Sequence, residues 1–151
     1  MAAPDLFSKR EQDFLEILLD EGVEFMVVGL AAAALQGVPA VTVDIDLWFA
    51  HRGDPKMIDA LSKAGVSYVP PSENNPPLLV GEAADLFDIV AHMHGLGSFD
   101  DERAHAKIVE IGRMELPVLP LERIIASKEA TGRPKDLAIL PVLKDALRVI
   151  D

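Results

Sequence analysis

Asp44-Ile45-Asp46 is the stretch of this 151-residue chain best suited to chemistry. Side chains two apart on a strand share a face. The two carboxylates would therefore stand side by side in the run Val41-Thr42-Val43-Asp44-Ile45-Asp46-Leu47-Trp48-Phe49, which is otherwise apolar and β-branched. Adjacent anions repel, and a divalent cation such as Mg²⁺ or Mn²⁺ relieves that repulsion through hard oxygen ligands. The alternative is an edge strand whose wet face carries two aspartates. Asp88, in Leu86-Phe87-Asp88-Ile89-Val90, is a third carboxylate in an apolar run. Should its strand lie beside the first, three carboxylates converge and a two-metal clamp becomes possible; otherwise Asp88 caps a turn. His92 and His94 share strand parity with Asp88, a spacing suited to a mixed nitrogen–oxygen metal site and hence to a metallohydrolase. The simpler reading is two polar residues where a strand runs out into a loop. His51 and His105 stand alone.

The elements that must position these groups are legible from periodicity and punctuation. Ser8 with Glu11 forms a capping box, and Phe14, Leu15, Leu18 and Leu19 follow at helical spacing until Gly22. Residues 24–28 read as a strand cut off by Gly29, and residues 30–35 as a short Ala-rich helix closed by Gly37-Val38-Pro39. A strand is expected over 41–49. Asp54-Pro55 opens a helix to about residue 63. Strands are expected at 66–69, 78–80 and 86–93, with a proline-rich loop at 70–77 and a Gly-rich turn at 94–98. Residues 107–111 and 115–119 form a hairpin through Gly112-Arg113. Two helices follow, 121–130 stopped by Gly132, and 135–149 with Leu137, Leu140, Leu143, Leu147 and Ile150 along one face. Interleaved strands and helices make the class α/β (α+β), with a mixed sheet.

Composition narrows the function. Half of the residues are hydrophobic and the mean hydropathy is +0.22, enough apolar material for one domain spanning 1–151. Against 25 Asp and Glu stand 14 Lys and Arg, a net charge of −11, so non-specific nucleic-acid binding is not expected. Residues 121–151 hold six basic and five acidic groups, and they are the only region where an anion meets no net repulsion. The chain has no cysteine, which excludes disulfides, thiolate zinc sites and cysteine nucleophiles and fits a cytoplasmic protein. No signal peptide and no membrane helix is expected. Walker, Gly-x-Gly-x-x-Gly, His-Glu-x-x-His and Gly-x-Ser-x-Gly motifs are absent.

Taken in order, these pieces resemble a minimal member of the DNA polymerase beta-like nucleotidyltransferase superfamily, similar to the abortive-infection and toxin–antitoxin nucleotidyltransferases. The resemblance rests on Val28-Gly29-Leu30-Ala31, then Gly37-Val38-Pro39-Ala40-Val41-Thr42-Val43-Asp44-Ile45-Asp46, then Asp88 on a later strand. A second stretch joins Leu119 to Lys128 with Gly132-Arg133-Pro134-Lys135-Asp136-Leu137, and is similar to the family's closing Lys…Gly-Arg-x-Lys-Asp element. The resemblance implies a mixed twisted sheet flanked by helices, with the C-terminal helices packed beside it. It implies Asp44, Asp46 and Asp88 as metal ligands, and these three with Lys128 as the catalytic set. Gly29, Leu30, Thr42, Arg133 and Lys135 would then surround a nucleoside triphosphate, with Asp136 orienting one of the cations. The implied reaction moves a nucleoside monophosphate to a hydroxyl.

Three positions depart from the family pattern. Leu30 stands for a second Gly or Ser, Ala40 for an Arg, and Gln36 where a His is common. The first two motivate an alternative, a catalytically degenerate binding module with a cognate protein partner in a toxin–antitoxin or phage-defence pair.

Overall fold

The computed structural model describes residues 7–42 and 44–150. The N-terminal helix α1 (Lys9–Asp20) opens on the expected capping box, with Ser8 and Glu11 exchanging side-chain-to-backbone hydrogen bonds. Strand β1 (Phe25–Val28) leads into α2 (Gly29–Leu35), and β2 (Ile45–Phe49) into α3 (Pro55–Lys63). After β3 (Ser67–Val69) and β4 (Leu78–Val80), a 3-10 turn at Glu82–Ala84 precedes β5 (Phe87–Val90). Helix α4 (Phe99–Arg103), the hairpin β6 (Lys107–Ile111) and β7 (Met114–Val118), and helices α5 (Leu121–Thr131) and α6 (Pro134–Val149) complete the chain.

A five-stranded mixed sheet runs β5-β2-β1-β7-β6, and β3 and β4 form a separate antiparallel pair. Strand β2 is antiparallel to β1 and parallel to β5, so Asp46 lies opposite both Val28 and Asp88. Strand β1 is parallel to β7. All four residues of β1 are buried, as befits a central strand covered on both faces. On one face Phe14 of α1 meets Phe87, ring centroids 4.9 Å apart; on the other, Trp48 meets Phe99 of α4 edge-on at 5.6 Å. Each such buried aromatic contributes about 1.5–3 kcal/mol of transfer free energy. Ala31 to Ala34 of α2 are buried, and their small side chains let that helix lie against both the sheet and α5. No helix among the described residues is long and apolar enough to cross a membrane.

Three local expectations are corrected. Strand β2 begins at Ile45, not at residue 41, leaving Asp44 outside it; Val43 lies outside the described residues. The reason is pairing: β1 ends at Val28, opposite Asp46, and β5 begins at Phe87, opposite Ile45, so residues before Ile45 have no strand partner. Strand β5 likewise ends at Val90, opposite Trp48, so His92 and His94 do not continue its alternation. Helix α6 buries Asp136, Leu140, Leu143 and Ala146, whereas Leu137 and Leu147 of the expected stripe are exposed. One helix, α4, was not foreseen; Ser98 and Asp101 cap it by the same reciprocal box as α1. The proline-rich residues 70–77 connect β3 to β4 and line neither cavity described below.

Candidate active site

Gly29 ends β1 and starts α2 at φ +67°, a backbone conformation L-residues with a Cβ adopt only at a cost. A Cβ there would lie 3.0 Å from Asp46 Oδ2, so the glycine also admits the carboxylate of the neighbouring strand. Asp46 is half-buried on β2, and Asp88 stands beside it on β5, more exposed. Asp44 is exposed just ahead of β2, where the Thr42 hydroxyl donates to its carbonyl at 2.8 Å.

The opposite wall comes from the corner between α5 and α6. Gly132, at φ +67°, turns the chain out of α5, and Pro134 at the first position of α6 restarts it. Asp136, only 1% exposed, is held there by two cations. Lys128 Nζ donates to its Oδ1 at 3.2 Å, and Arg133 donates through Nε at 2.7 Å and Nη2 at 3.4 Å.

Between these walls lies a cavity of about 380 Å³. It is lined by Leu30, Thr42, Asp44, Asp46, Asp88, Lys128, Arg133 and Lys135, all the expected site residues except Gly29, together with Asp136 and Ile139. Gly29 lines an adjoining cavity of about 190 Å³ with Val90, His92, Met93, His94, Ile124, Ser127 and Thr131. Asp46, Lys128, Arg133 and Asp136 belong to both.

The carboxylates repel one another. Burial pushes Asp46 above the ordinary carboxylate range and the charge of Asp88 adds to it; Lys128 opposes, Asp44 reinforces, and Lys135 opposes weakly. Asp88 is raised by burial and then by Asp44. Burial also opposes the ionised form of Asp136, yet the hydrogen bonds from Arg133 and Lys128 outweigh it and hold that group below its usual value. Three oxygen-donor carboxylates on one wall, two of them reluctant to ionise, fit a hard divalent cation such as Mg²⁺. Among the described residues no three His, Asp or Glu side chains are already drawn together as a metal cluster. Neither Asp44–Asp46–Asp88 nor Asp88–His92–His94 forms such a cluster. Asp88 lines the larger cavity and the histidines the smaller, where their rings pack edge-on at 4.7 Å.

Two features escaped the sequence reading. The smaller cavity draws on Ile124, Ser127, Lys128 and Thr131, whose spacing of three, four and seven places them on one face of α5; that periodicity was the available signal. Gln36 is a strap. Its Nε2 donates to the carbonyls of Ala32 (3.0 Å) and Leu119 (2.8 Å), and its Oε1 accepts from the Leu121 N–H (3.2 Å), tying the end of α2 to the start of α5. No local pattern marks a contact that spans 85 residues.

No protein-family model and no curated protein matches the sequence. Solved structures do match the fold. The solution structure of the antibiotic-resistance factor ANT(2″)-Ia superposes with a TM-score of 0.62 at 14% identity, over 91% of this chain and 82% of that one. A crystal structure of ANT(2″)-Ia with adenylyl-2″-tobramycin gives 0.60 at 15% identity, over 90% and 86%. A Thermotoga maritima protein provisionally assigned as a nucleotidyltransferase gives 0.59 at 23% identity, over 91% and 89%. The mixed five-stranded sheet with its flanking helices is thus the nucleotidyltransferase fold.

Proposed function

We propose that this chain is a nucleotidyltransferase that moves a nucleoside monophosphate from a nucleoside triphosphate to a hydroxyl acceptor. The observation that carries the reading is the cavity in which Asp44, Asp46 and Asp88 face Lys128, Arg133 and Lys135 across the sheet edge. Asp44, Asp46 and Asp88 would hold Mg²⁺ or Mn²⁺, two ions in the fullest form. When bound, the metal neutralises phosphate charge and favours the acceptor's alkoxide. Lys128, Arg133 and Lys135 bind the triphosphate from the other wall, and Gly29 and Thr42 shape the approach around Asp46 and Asp44. The acceptor oxygen attacks the α-phosphorus as the bond to the bridging α,β-oxygen breaks, releasing pyrophosphate. Asp88, exposed and raised in pKa, takes the acceptor proton. The neighbour complexed with adenylyl-2″-tobramycin supports a hydroxyl acceptor of this kind. A cytoplasmic setting, where nucleoside triphosphates abound, accords with the reading.

One observation favours a second reading. Leu30 puts a bulky apolar side chain in the lining of the carboxylate cavity, and Ala40 supplies no cation. On that reading the chain is a degenerate binding module with a cognate protein partner, one half of a toxin–antitoxin or phage-defence pair.

Calorimetric titration of each of the four nucleoside triphosphates, with Mg²⁺ and then with EDTA, separates the two. Saturable, metal-dependent binding that disappears in Asp44→Asn is the expected result; Asp44 is exposed and outside the strand, so the fold should survive. An Asp44→Asn variant that binds normally removes the assigned role. Metal binding without affinity for any nucleotide moves the assignment to the second reading.

A further inference from the structure

Strand β6 is an outer strand of the five-stranded sheet and pairs only with β7. Ile108 and Glu110 of β6 lie directly opposite Pro117 and Glu115 of β7, so these four side chains share one face. Ile108, Glu115 and Pro117 line a groove of about 700 Å³ between α4 and the end of α1, with Leu19 and Phe99 adding to its apolar lining. A second groove, of about 540 Å³, shares Leu19 and Glu115 with the first. The rim is acidic: Glu24 and Asp100 border the first groove and Glu16 and Asp20 the second, against Arg103 and Arg113. Among the described residues, Glu16, Asp20, Asp100, Glu110 and Glu115 make no ion pair. Glu110 and Glu115, both exposed, face each other as like charges, which costs the hairpin stability.

We propose that this face docks a partner protein, which lays an extended lysine- or arginine-rich segment along β6 as a further strand of the sheet. The inference stands on this surface alone and holds under either reading of the carboxylate site. An open edge supplies backbone hydrogen bonds to an added strand. In a two-residue hairpin the residues flanking the turn bond to each other, so Lys107, Val109 and Ile111 direct their amides at β7. Ile108 and Glu110 direct theirs outward. Every second side chain of the added strand falls on the face of Ile108 and Glu115. Long basic side chains suit it, with methylene stems against the exposed Ile108 and charge against Glu110 and Glu115. The charge also decides between occupants. A nucleic acid or an anionic membrane is repelled, and a second copy would bring the same carboxylates against these. A small polyamine would meet the acids but use neither the open edge nor the apolar lining.

The probe is a nine-residue peptide alternating lysine and valine, labelled with fluorescein and titrated into the full chain by fluorescence anisotropy. Two comparison peptides go with it. One has its central valine replaced by proline, which keeps the charge but removes a ladder donor; the other has glutamate for every lysine. Saturable binding of the lysine–valine peptide alone is expected, with slowed hydrogen exchange at the amides of Ile108 and Glu110. Glu115→Lys should weaken that binding about tenfold, the scale of reversing one exposed charge beside neighbouring lysines. Asp59→Lys makes the same change of net charge on α3, outside both grooves, and should leave binding unchanged. Glu115→Lys should also melt higher than the parent, because it turns the like pair with Glu110 into an opposite one. A merely structural role for Glu115 predicts a lower melting temperature. No binding of the lysine–valine peptide overturns the inference. Equal binding of the proline peptide, or equal losses in Glu115→Lys and Asp59→Lys, does the same, since the attraction is then net charge without an added strand. Displacement of the peptide by spermidine at matching concentration gives the surface to a polyamine, and a dimer in sedimentation that Glu115→Lys alters gives it to a second copy.

Discussion

Replacing Gly29 by alanine tests the closest backbone approach in the site. Two costs can be worked from the geometry. The residue sits at φ +67°, and holding an alanine in that region costs about 1–2 kcal/mol. Its Cβ would also stand 3.0 Å from Asp46 Oδ2, inside ordinary van der Waals contact, so the carboxylate must leave its rotamer at about 0.5–1.5 kcal/mol. The sum, roughly 1.5–3.5 kcal/mol, corresponds to a fall of about 3–14 °C in melting temperature for a chain near 150 residues. Gly65 provides the control. It has a similar φ of +75°, and a Cβ there meets nothing within 4 Å, so Gly65→Ala should show the backbone cost alone. Thermal denaturation of both variants, of Asp46→Ala and of Gly29→Ala combined with Asp46→Ala isolates the contact as a coupling of about 0.5–1.5 kcal/mol. Gly29→Ala should also weaken metal-dependent triphosphate binding, and Gly65→Ala should leave it unchanged. The reasoning is refuted if Gly29→Ala costs no more than Gly65→Ala and shows no coupling to Asp46.

Further outcomes follow from the carboxylate and the strap. The folded-state pKa of Asp46 is raised, so the unfolded chain gives up its proton first, near pH 4, and stability is lost as pH rises from there through the folded value. Asp46→Asn should therefore melt higher than the parent at pH 7 in EDTA, with the difference closing below about pH 4; a variant that melts lower at pH 7 contradicts the electrostatic account. Gln36→Ala strands the carbonyl of Leu119 and the N–H of Leu121, at the first turn of α5, where the helix offers no partner of its own. A loss of about 1–3 kcal/mol in denaturant unfolding is expected, and none would mean that water replaces the strap.

Much of this protein is written locally. The Ser8–Glu11 box, the Asp54-Pro55 start of α3 and the Gly132-Arg133-Pro134 corner each act through hydrogen bonds or dihedral limits within a few residues, and each stands where its residues placed it. The candidate residues themselves were legible, because carboxylates in apolar runs are conspicuous against their neighbours. Pairing decided the rest. Whether Asp88 stands beside Asp46 depends on β5 joining β2 in parallel at one register, a choice among strands some forty residues apart that no local pattern encodes. The same pairing set the limits of β2 and β5, leaving Asp44 ahead of one strand and His92 and His94 beyond the other. Burial of Asp136 and its contact with Lys128 likewise required α6 to fold back on α5, whereas the Arg133–Asp136 pair is local to the start of α6. Side-chain chemistry and local punctuation can be read along the chain, but which groups share a cavity is a property of long-range contacts, and only the folded sheet and its C-terminal helices supply them.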